Sequence, residues 1–264
     1  CMITADVHTH SSFSTDSDEP LFELAEAAVH KGLKTLCVTE HHDFDYPVEG
    51  DFLLDVPLYR EELLRVRGEF EGRLELLFGV ELGLLDYAAP RLYEFAKSAD
   101  FDFIIGAAHQ IDGIDPYYPE YFDKMGDRNG IIHFLDSMLA SIKAFDDYDV
   151  LGHLDYIVRY SHAKSYDPTD YREVIDEILK TVIAVGKGIE VNTAGVRHLG
   201  YPHPNPFVLK RYRELGGEIV TVGSDAHDRM RVAADFDKAE QALVGAGFKY
   251  YAIFRRRKPE FVRI

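Results

Sequence analysis

Histidine and acidic residues recur at one kind of place in this 264-residue sequence, directly after short segments rich in β-branched and apolar residues. Two paired motifs stand out, His8-Thr9-His10 near the start and Asp225-Ala226-His227 near the end. Successive side chains of a strand point to opposite faces, so residues i and i+2 point the same way and can bind one ion together. Imidazole and carboxylate ligands without a thiolate suit Zn, Fe or Mn. Each motif is weak by itself, and the two together indicate a metal site.

Four further candidates occupy equivalent positions along the chain. They follow, in order, the second to the fifth predicted strand: His41, Glu81, His109 and His153. Other histidines fall in predicted helices or loops and fit the commoner role of a hydrogen-bonded structural residue: His30, His133, His162 and His198. Burying six histidines and two carboxylates without a metal would leave many nitrogens and oxygens in need of partners. The matching positions therefore favour a metal centre.

The elements that must position these residues alternate along the chain. Strands are predicted at residues 3–7, 35–39, 75–80, 103–107, 150–151, 188–191 and 219–222, with a possible last strand at 250–254. Helices are predicted at residues 21–31, 59–70, 89–98, 131–145, 171–186, 207–215 and 233–246. Regular alternation favours an α/β fold with parallel strands and right-handed crossovers, either a doubly wound sheet or a barrel. In a barrel the carboxyl ends of the strands converge on one face, where active sites are built.

Composition and charge limit the classes of partner and the cellular location that we expect for this protein. No linker divides the chain, so we expect a single domain over residues 1–264, as a monomer or homodimer. The formal net charge of −17 disfavours nucleic acid and anionic membranes as partners, because binding either relies on Lys and Arg. The basic run at residues 255–258 is predicted to be a small solvated surface. Two cysteines, Cys1 and Cys37, cannot form a disulfide framework, and no segment is apolar enough to span a bilayer, which together predict a cytoplasmic protein.

Counting charges at such a centre suggests a substrate. Three divalent ions together would carry about six positive charges. The carboxylates of Asp16, Glu81 and Asp225 and a bridging hydroxide would offset part of this charge. The remainder of roughly two positive charges matches a phosphate monoester dianion. Bound ions also lower the pKa of water to about 7, so that a metal-bridging hydroxide would be available for in-line attack. The chemistry that fits is the hydrolysis of a phosphate monoester.

Four motifs follow one another along the chain: Asp6-Val7-His8-Thr9-His10 with Asp16 downstream, Val38-Thr39-Glu40-His41, Gly106-Ala107-Ala108-His109 and Gly223-Ser224-Asp225-Ala226-His227. Gly79-Val80-Glu81 and Leu151-Gly152-His153 lie between them. Together they resemble the PHP (polymerase and histidinol phosphatase) metallohydrolase superfamily. Residues 42–47, 115–119, 153–160 and 190–193 are similar to its histidinol-phosphate phosphatase branch. The resemblance covers nearly the whole chain and implies the PHP fold, a distorted (β/α)7 TIM-like barrel.

The resemblance also implies three divalent metal ions, which would be Zn, Mn or Fe. One ion would be held by His8, His10, Glu81 and Asp225. The second would share Glu81 and add His109 and His153. The third would be held by Asp16, His41 and His227. Asp16 stands where some superfamily members have histidine, and its harder carboxylate favours Mn or Fe over Zn at this position.

Residues near these ligands are candidates for contacts with the substrate. Arg159 and Arg197 fall in loops after the fifth and sixth predicted strands, and either could bind phosphate with two parallel hydrogen bonds. His42 adjoins a predicted ligand and could donate a proton to the leaving group. Tyr117 and Asp43 lie in loops that could form walls around a cationic amino and imidazole group.

The resemblance implies a phosphomonoesterase that hydrolyses L-histidinol phosphate to L-histidinol and phosphate in histidine biosynthesis. One alternative is a PHP phosphoesterase that acts on another small phosphate ester or on nucleic-acid ends. The acidic charge balance counts against nucleic acid. Another alternative is a non-catalytic metal-binding protein, and the complete set of ligands argues against it.

Overall fold

Seven parallel strands follow one another around the sheet in the same order as in the sequence. The computed structural model describes residues 3–48 and 51–264, so that Cys1 lies outside the described residues. The strands are β1 (Ala5–Asp6), β2 (Thr35–His42), β3 (Glu75–Gly83), β4 (Phe103–Ala107), β5 (Val150–Leu151), β6 (Gly188–Asn192) and β7 (Val220–Gly223). Sequential order with parallel pairing is what right-handed β-α-β crossovers produce.

The sheet closes where the chain following β1 meets the chain following β7. The Asp225 amide donates to the His8 carbonyl at 2.8 Å, and the His10 amide donates to the Ala226 carbonyl at 2.8 Å. Thr9 and Ala226 form a parallel bridge between these hydrogen bonds. The nearly closed sheet confirms the predicted seven-stranded barrel and excludes the doubly wound alternative.

Helices cover the outside of the barrel. Within the described ranges they are α1 (Leu21–His30), α2 (Val56–Glu69), α3 (Ala89–Ala96), α4 (Glu120–Met125), α5 (Asp127–Ala144), α6 (Arg172–Ala184), α7 (Ala194–Leu199), α8 (Pro206–Glu214) and α9 (Phe236–Gly245). Short 3-10 segments lie at Asp86–Ala88, Tyr156–Tyr160 and Pro168–Tyr171. Two short helices, α4 and α7, were not predicted, since both lie within segments that have the composition of loops. None of the described helices is both long enough and apolar enough to cross a membrane.

Local sequence explains where the longer helices begin and which face they bury. The Asp55 carboxylate caps α2 by accepting from the Leu58 amide at 3.1 Å. The Asn205 side chain caps α8 by accepting from the Phe207 amide at 2.9 Å. These caps satisfy amides that have no partner within the first turn of a helix. In α6 the buried residues recur at helical spacing and face the barrel: Ile175, Ile178, Leu179 and Val182.

β2 and β3 extend three residues further than predicted. Their register pairs His41 with Glu81 and His42 with Leu82, so these residues lie inside the strands rather than after them. All eight residues of β2 are buried, as expected for a strand of a parallel sheet that is covered on both faces. Alternation therefore continues through the end of β2, and it sends the side chains of His41 and His42 to opposite faces.

A hairpin outside the barrel sheet contains the basic run. β8 (Tyr250–Arg255) pairs antiparallel with β9 (Lys258–Arg263), which was not predicted. Arg256 and Arg257 form the turn between them. The prediction of a solvated basic surface is only partly right, because Arg255 pairs with Glu75 at 2.5 Å and Arg257 pairs with Asp149 at 2.6 Å.

Candidate metal centre

All nine predicted ligands converge at the carboxyl ends of the barrel strands. They reach this face from β1, β2, β3, β4, β5 and β7 or from the segments that follow them: His8, His10, Asp16, His41, Glu81, His109, His153, Asp225 and His227. The side chains of His8, His10 and Glu81 are fully buried at the bottom of the cluster. Asp16 is at its outer edge, with 43% of its side chain exposed.

One group within the cluster surrounds Oε2 of Glu81. This oxygen lies 3.1 Å from Nε2 of His8 and 3.3 Å from Nε2 of His10. Oδ1 of Asp225 lies 3.5 Å and 3.3 Å from the same two nitrogens, which are themselves 3.1 Å apart. Four ligand atoms therefore face one another across a single small space.

A second group forms around the other oxygen of Glu81. Oε1 lies 3.0 Å from Nε2 of His109 and 2.8 Å from Nε2 of His153. Because its two oxygens face different histidines, Glu81 connects the two groups.

A third group lies toward the solvent. Oδ2 of Asp16 is 3.1 Å from Nε2 of His227 and 3.5 Å from Nε2 of His41. The His10 ring stacks between the rings of His41 and His227, with centroids 4.2 Å and 4.3 Å away. Nδ1 of His41 also lies 3.1 Å from Glu81 Oε2, so His41 faces both this group and the buried one.

The donor atoms fit divalent cations. Ligands about 2.0–2.1 Å from a metal lie about 3.0–3.4 Å from each other in octahedral or tetrahedral geometry, and the separations above are of that size. Glu81 Oε2 and His41 Nδ1 are buried and accept or donate no hydrogen bond within residues 3–48 and 51–264. Buried polar atoms without partners are rare in folded proteins, and a cation would satisfy both.

The electric field inside the cluster also favours cations. Burial alone would lower the pKa of the His8 imidazole, but the carboxylates of Glu190, Glu81 and Asp225 raise it well above its usual range. Burial alone would raise the pKa of Asp225, but His8 and the other imidazoles hold it well below its usual range. Carboxylates that stay ionised at this depth attract positive charge, and metal ions can provide it in place of protons.

Glu190 was not predicted to take part in the site, although it is fully buried beneath it. It lies on β6 and its Oε1 is 2.5 Å from Nδ1 of His8. Its Oε2 accepts from the His153 amide at 3.0 Å. Gly223 leaves the necessary space, because a Cβ there would come within 2.3 Å of the His8 Cβ. An acidic residue in the middle of a predicted buried strand was the signal that could have identified Glu190.

A second buried carboxylate, Glu40, supports the cluster through a serine. Oγ of Ser14 donates to Glu40 at 2.5 Å and lies 3.2 Å from Nδ1 of His10. The His41 amide donates to the same hydroxyl at 3.0 Å. Burial raises the pKa of Glu40 to about 7. Glu40 and Ser14 thereby hold His10 and His41 in position without belonging to the ligand groups.

The cluster forms one wall of a cavity of about 470 Å³, which we call the metal cavity. Its other walls are mainly aromatic: Tyr46, Phe52, Tyr117, Tyr118, Tyr156 and Tyr160. Tyr117 lines this cavity at its mouth, with 61% of its surface exposed. Asp115 also lines the cavity, and it accepts from the Tyr46 hydroxyl at 2.7 Å and from the Tyr117 amide at 2.8 Å.

Asp43 lines the metal cavity and also orients a ligand. Its Oδ1 lies 2.8 Å from Nδ1 of His109, and its side chain is almost completely buried. Gly83 makes room for it, since a Cβ at that position would overlap the carboxylate. We predicted Asp43 as a wall for the substrate, and the contact with His109 gives it a second role.

The two predicted arginines are placed differently. Arg159 is the one Lys or Arg side chain among the described residues that line the metal cavity. Its guanidinium lies over the rings of Tyr156 and Tyr160, at 5.3 Å and 4.8 Å from their centroids, and its Nε has no hydrogen-bond partner within the described residues. Arg197 lies on α7, is exposed and is not part of the lining.

The placement of His42 disagrees with its predicted role as proton donor. Its ring stacks on Phe95 with centroids 3.7 Å apart, and its Nδ1 accepts from the Leu54 amide at 3.1 Å. Burial lowers the pKa of this imidazole to about 4, so the ring is neutral at neutral pH. His42 is absent from the described lining of the metal cavity, because strand alternation turns it away from His41. We therefore withdraw the catalytic role of His42.

Comparisons with known proteins identify the family of this chain. The model of the PHP domain family matches residues 6–194. A histidinol-phosphatase of Lactococcus lactis subsp. lactis is 34% identical over 260 residues, which cover 96% of this chain and 95% of that protein. A probable histidinol-phosphatase of Clostridium acetobutylicum is 31% identical, covering 89% of this chain and 90% of that protein. This chain also superimposes on a crystal structure of the Lactococcus lactis histidinol phosphate phosphatase with zinc, L-histidinol and phosphate, with a TM-score of 0.90. The two sequences are 30% identical, and the superposition covers 97% of this chain and 98% of that one.

Proposed function

The chain belongs to the PHP domain family, and we propose on that basis that it hydrolyses L-histidinol phosphate to L-histidinol and phosphate in histidine biosynthesis. The observation that carries the proposal is the position of the nine-residue cluster: seven of its residues line the metal cavity together with Arg159, and His8 and His10 lie buried behind them. The similar structure that contains zinc, L-histidinol and phosphate supports it at the level of the substrate.

We assign three divalent ions to the three groups of ligands. The first would be held by His8, His10, Glu81 and Asp225, the second by Glu81, His109 and His153, and the third by Asp16, His41 and His227. When bound, such ions supply a hydroxide nucleophile near neutral pH and stabilise negative charge on the phosphoryl oxygens. Zinc in the similar structure makes zinc the first candidate, and the carboxylate of Asp16 keeps Mn and Fe in consideration.

Other residues of the chain would bind and orient the substrate. Arg159 lines the metal cavity, its buried Nε has no hydrogen-bond partner within the described residues, and it would bind the phosphate through its fork of N–H groups. Arg197 would approach the same group from the exposed rim. Asp115 and Asp51 line the cavity without belonging to the ligand groups, and their negative charge complements a cationic amino or imidazole group. Tyr117 would complete the wall of the metal cavity next to Asp115.

A substrate panel tests the proposal. Purified protein of known metal content is assayed for phosphate release from L-histidinol phosphate, p-nitrophenyl phosphate and a short oligonucleotide with a terminal phosphate. We expect L-histidinol phosphate to have the highest kcat/KM and the oligonucleotide to be inert, because a net charge of −17 repels it. Turnover of histidinol phosphate no faster than that of p-nitrophenyl phosphate would reject this substrate and leave another small phosphate ester as the alternative.

Three further predictions stay predictions for this chain. They are a single domain over residues 1–264, a monomer or homodimer, and a cytoplasmic location.

A further inference from the structure

A second cleft lies on the outside of the barrel, and we call it the outer cleft. It is bordered by α2, by the segment between α3 and β4, and by the turn of the β8–β9 hairpin. Within the ranges that the structure describes, it shares no lining residue with the metal cavity. Its volume of about 630 Å³ falls among the values usual for small-molecule sites, about 300–1,000 Å³. The outer cleft is therefore large enough for a metabolite.

Arginine dominates the charge of the outer cleft. Its charged lining residues are Arg60, Arg67, Arg256, Arg257, Asp100 and Asp102. Arg67 lies near Asp102, and Arg257 is paired with Asp147 and Asp149 behind the lining. Arg60 and Arg256 therefore remain against a single unpaired acid among the described lining residues, Asp100, and the sign of this remaining charge suits an anion.

Two of the arginines already have structural partners. Nε of Arg257 donates to Asp149 at 2.6 Å, and Nε of Arg67 donates to the Leu76 carbonyl at 2.9 Å. Asp102 lies 3.8 Å from Arg67 and accepts from the Arg256 amide at 3.1 Å, so its carboxylate is engaged. The side chains of Arg60 and Arg256 make no hydrogen bond and no ion pair in the part of the chain that the structure describes. They are free to bind a ligand.

The backbone conformation at Arg256 is a second observation that points to a ligand in the outer cleft. Arg256 and Arg257 are the two central residues of the hairpin turn, with φ of 50° and 64°. Two-residue turns with positive φ at both positions favour Asn-Gly, and a long side chain is disfavoured in that conformation. The ion pair with Asp149 explains why arginine is found at position 257. Nothing within the described structure explains Arg256, and strained residues of this kind gather at ligand sites.

The rest of the outer cleft is apolar. Arg60, Leu63, Leu64 and Arg67 follow the i, i+3, i+4, i+7 spacing of one helical face, so α2 presents two cations with two leucines between them. Phe78 and Phe101 form buried walls. We propose that the outer cleft binds a small organic phosphate, with its phosphate between Arg60 and Arg256 and its carbon skeleton against the apolar walls.

Calorimetric titration of the metal-loaded protein with naphthalene-1-sulfonate tests the proposal. This probe combines an aromatic body with a phosphate-like anion that the enzyme cannot hydrolyse. We expect one equivalent to bind, and we expect Arg60→Ala with Arg256→Asn to weaken binding at least about tenfold, because both arginines lose their charge-assisted hydrogen bonds to the anion. The variant Asp225→Asn, which changes the metal centre, should bind the probe with unchanged affinity.

The double variant should fold at least as well as the wild type. Alanine is favourable at an exposed helix position, and asparagine accepts a positive φ more readily than arginine does. Arg65→Ala with Arg213→Ala removes the same charge outside the outer cleft and should leave probe binding unchanged. Phosphate release should be unchanged in both double variants. No probe binding by the wild type, equal affinity in the two double variants, or loss of binding in Asp225→Asn would overturn the proposal.

Discussion

Glu190 lies 2.5 Å from Nδ1 of His8, and both side chains are completely inaccessible to solvent. An Nδ1–H that donates to this carboxylate leaves the lone pair of Nε2 directed at Glu81 and Asp225. Hydrogen bonds of this kind fix the tautomer and the ring orientation of a metal-binding histidine and raise its basicity. The same carboxylate accepts from the His153 amide, so Glu190 holds parts of two ligand groups in place.

Replacing Glu190 with glutamine should weaken metal binding about 10- to 100-fold. The amide keeps the shape of the side chain but removes the negative charge facing His8. The measurement is the fraction of metal retained against a graded chelator. Activity should recover when metal is added in excess.

Glu218→Gln is the matched control, because Glu218 is an exposed acid on the chain just before β7. It should retain metal like the wild type. Equal retention by both variants would contradict the positioning role of Glu190.

Asp225→Asn should lower kcat by more than about a hundredfold while the protein still unfolds cooperatively. Asp225 adopts a φ of 55°, a conformation that asparagine also accepts, so the backbone should be preserved. Phosphate release and thermal unfolding are measured on the same sample. Substantial activity in a correctly folded variant would refute the metal mechanism.

Asp16→Ala should reduce the metal content by one ion per chain, because Asp16 is the carboxylate of the outermost group. Elemental analysis after extensive dialysis gives the stoichiometry. Asp16→His restores a ligand at the same position and should restore the third ion. Equal metal content in the wild type and in Asp16→Ala would reject three ions in favour of two.

Arg159→Lys should lower kcat/KM for a phosphate monoester about tenfold or more, mainly through KM. A lysine keeps the charge but loses the planar fork that binds two phosphate oxygens, and it stacks less well on Tyr156 and Tyr160. Steady-state kinetics give the two constants separately. Arg128→Lys is the control, because Arg128 lies over the ring of Tyr171 outside the metal cavity. An equal loss of kcat/KM in both variants would argue against a contact between Arg159 and the phosphate.

His42→Asn should leave kcat within about tenfold of the wild type, because removing a true general acid usually costs about 10²–10⁴. Asparagine can still accept the hydrogen bond from the Leu54 amide. Steady-state phosphate release measures the effect. A loss of a thousandfold in a folded, metal-loaded variant would reinstate His42 as the proton donor.

His42 should also make the free energy of unfolding depend on pH. Its pKa is about 4 in the folded protein against an ordinary value of 6.5, so the unfolded chain binds a proton that the folded one excludes. The resulting stabilisation is complete above pH 6.5 and is lost as the pH falls toward 4. Relative to His42→Asn, the wild type should lose about 2 kcal/mol of unfolding free energy between pH 7 and pH 5, measured by denaturant titration. A constant difference between the two proteins would contradict the shift.

The meeting of the nine predicted ligands at one face could be predicted from the sequence, because it depends on one simple rule, that parallel strands present their carboxyl ends together. His42 shows where the prediction failed. Its neighbour His41 suggested a shared rim, but β2 continues through both residues and strand alternation separates them. Glu190 was overlooked because its partner, His8, is far away in sequence and the pairing depends on the order of strands around the barrel. The short helices α4 and α7 and the strand β9 were missed because their stability comes from packing against other elements rather than from local pattern.

Closure of the barrel has a consequence for the order of events during synthesis. His8 and His10 leave the ribosome early, whereas Asp225 and His227 follow only after β7 has been made. The backbone pairing of residues 8–10 with residues 225–226 cannot form before then. A nascent chain can therefore assemble its earlier strands before the most deeply buried group of ligands gains its last carboxylate, that of Asp225. Chains truncated before residue 225 should consequently bind metal poorly.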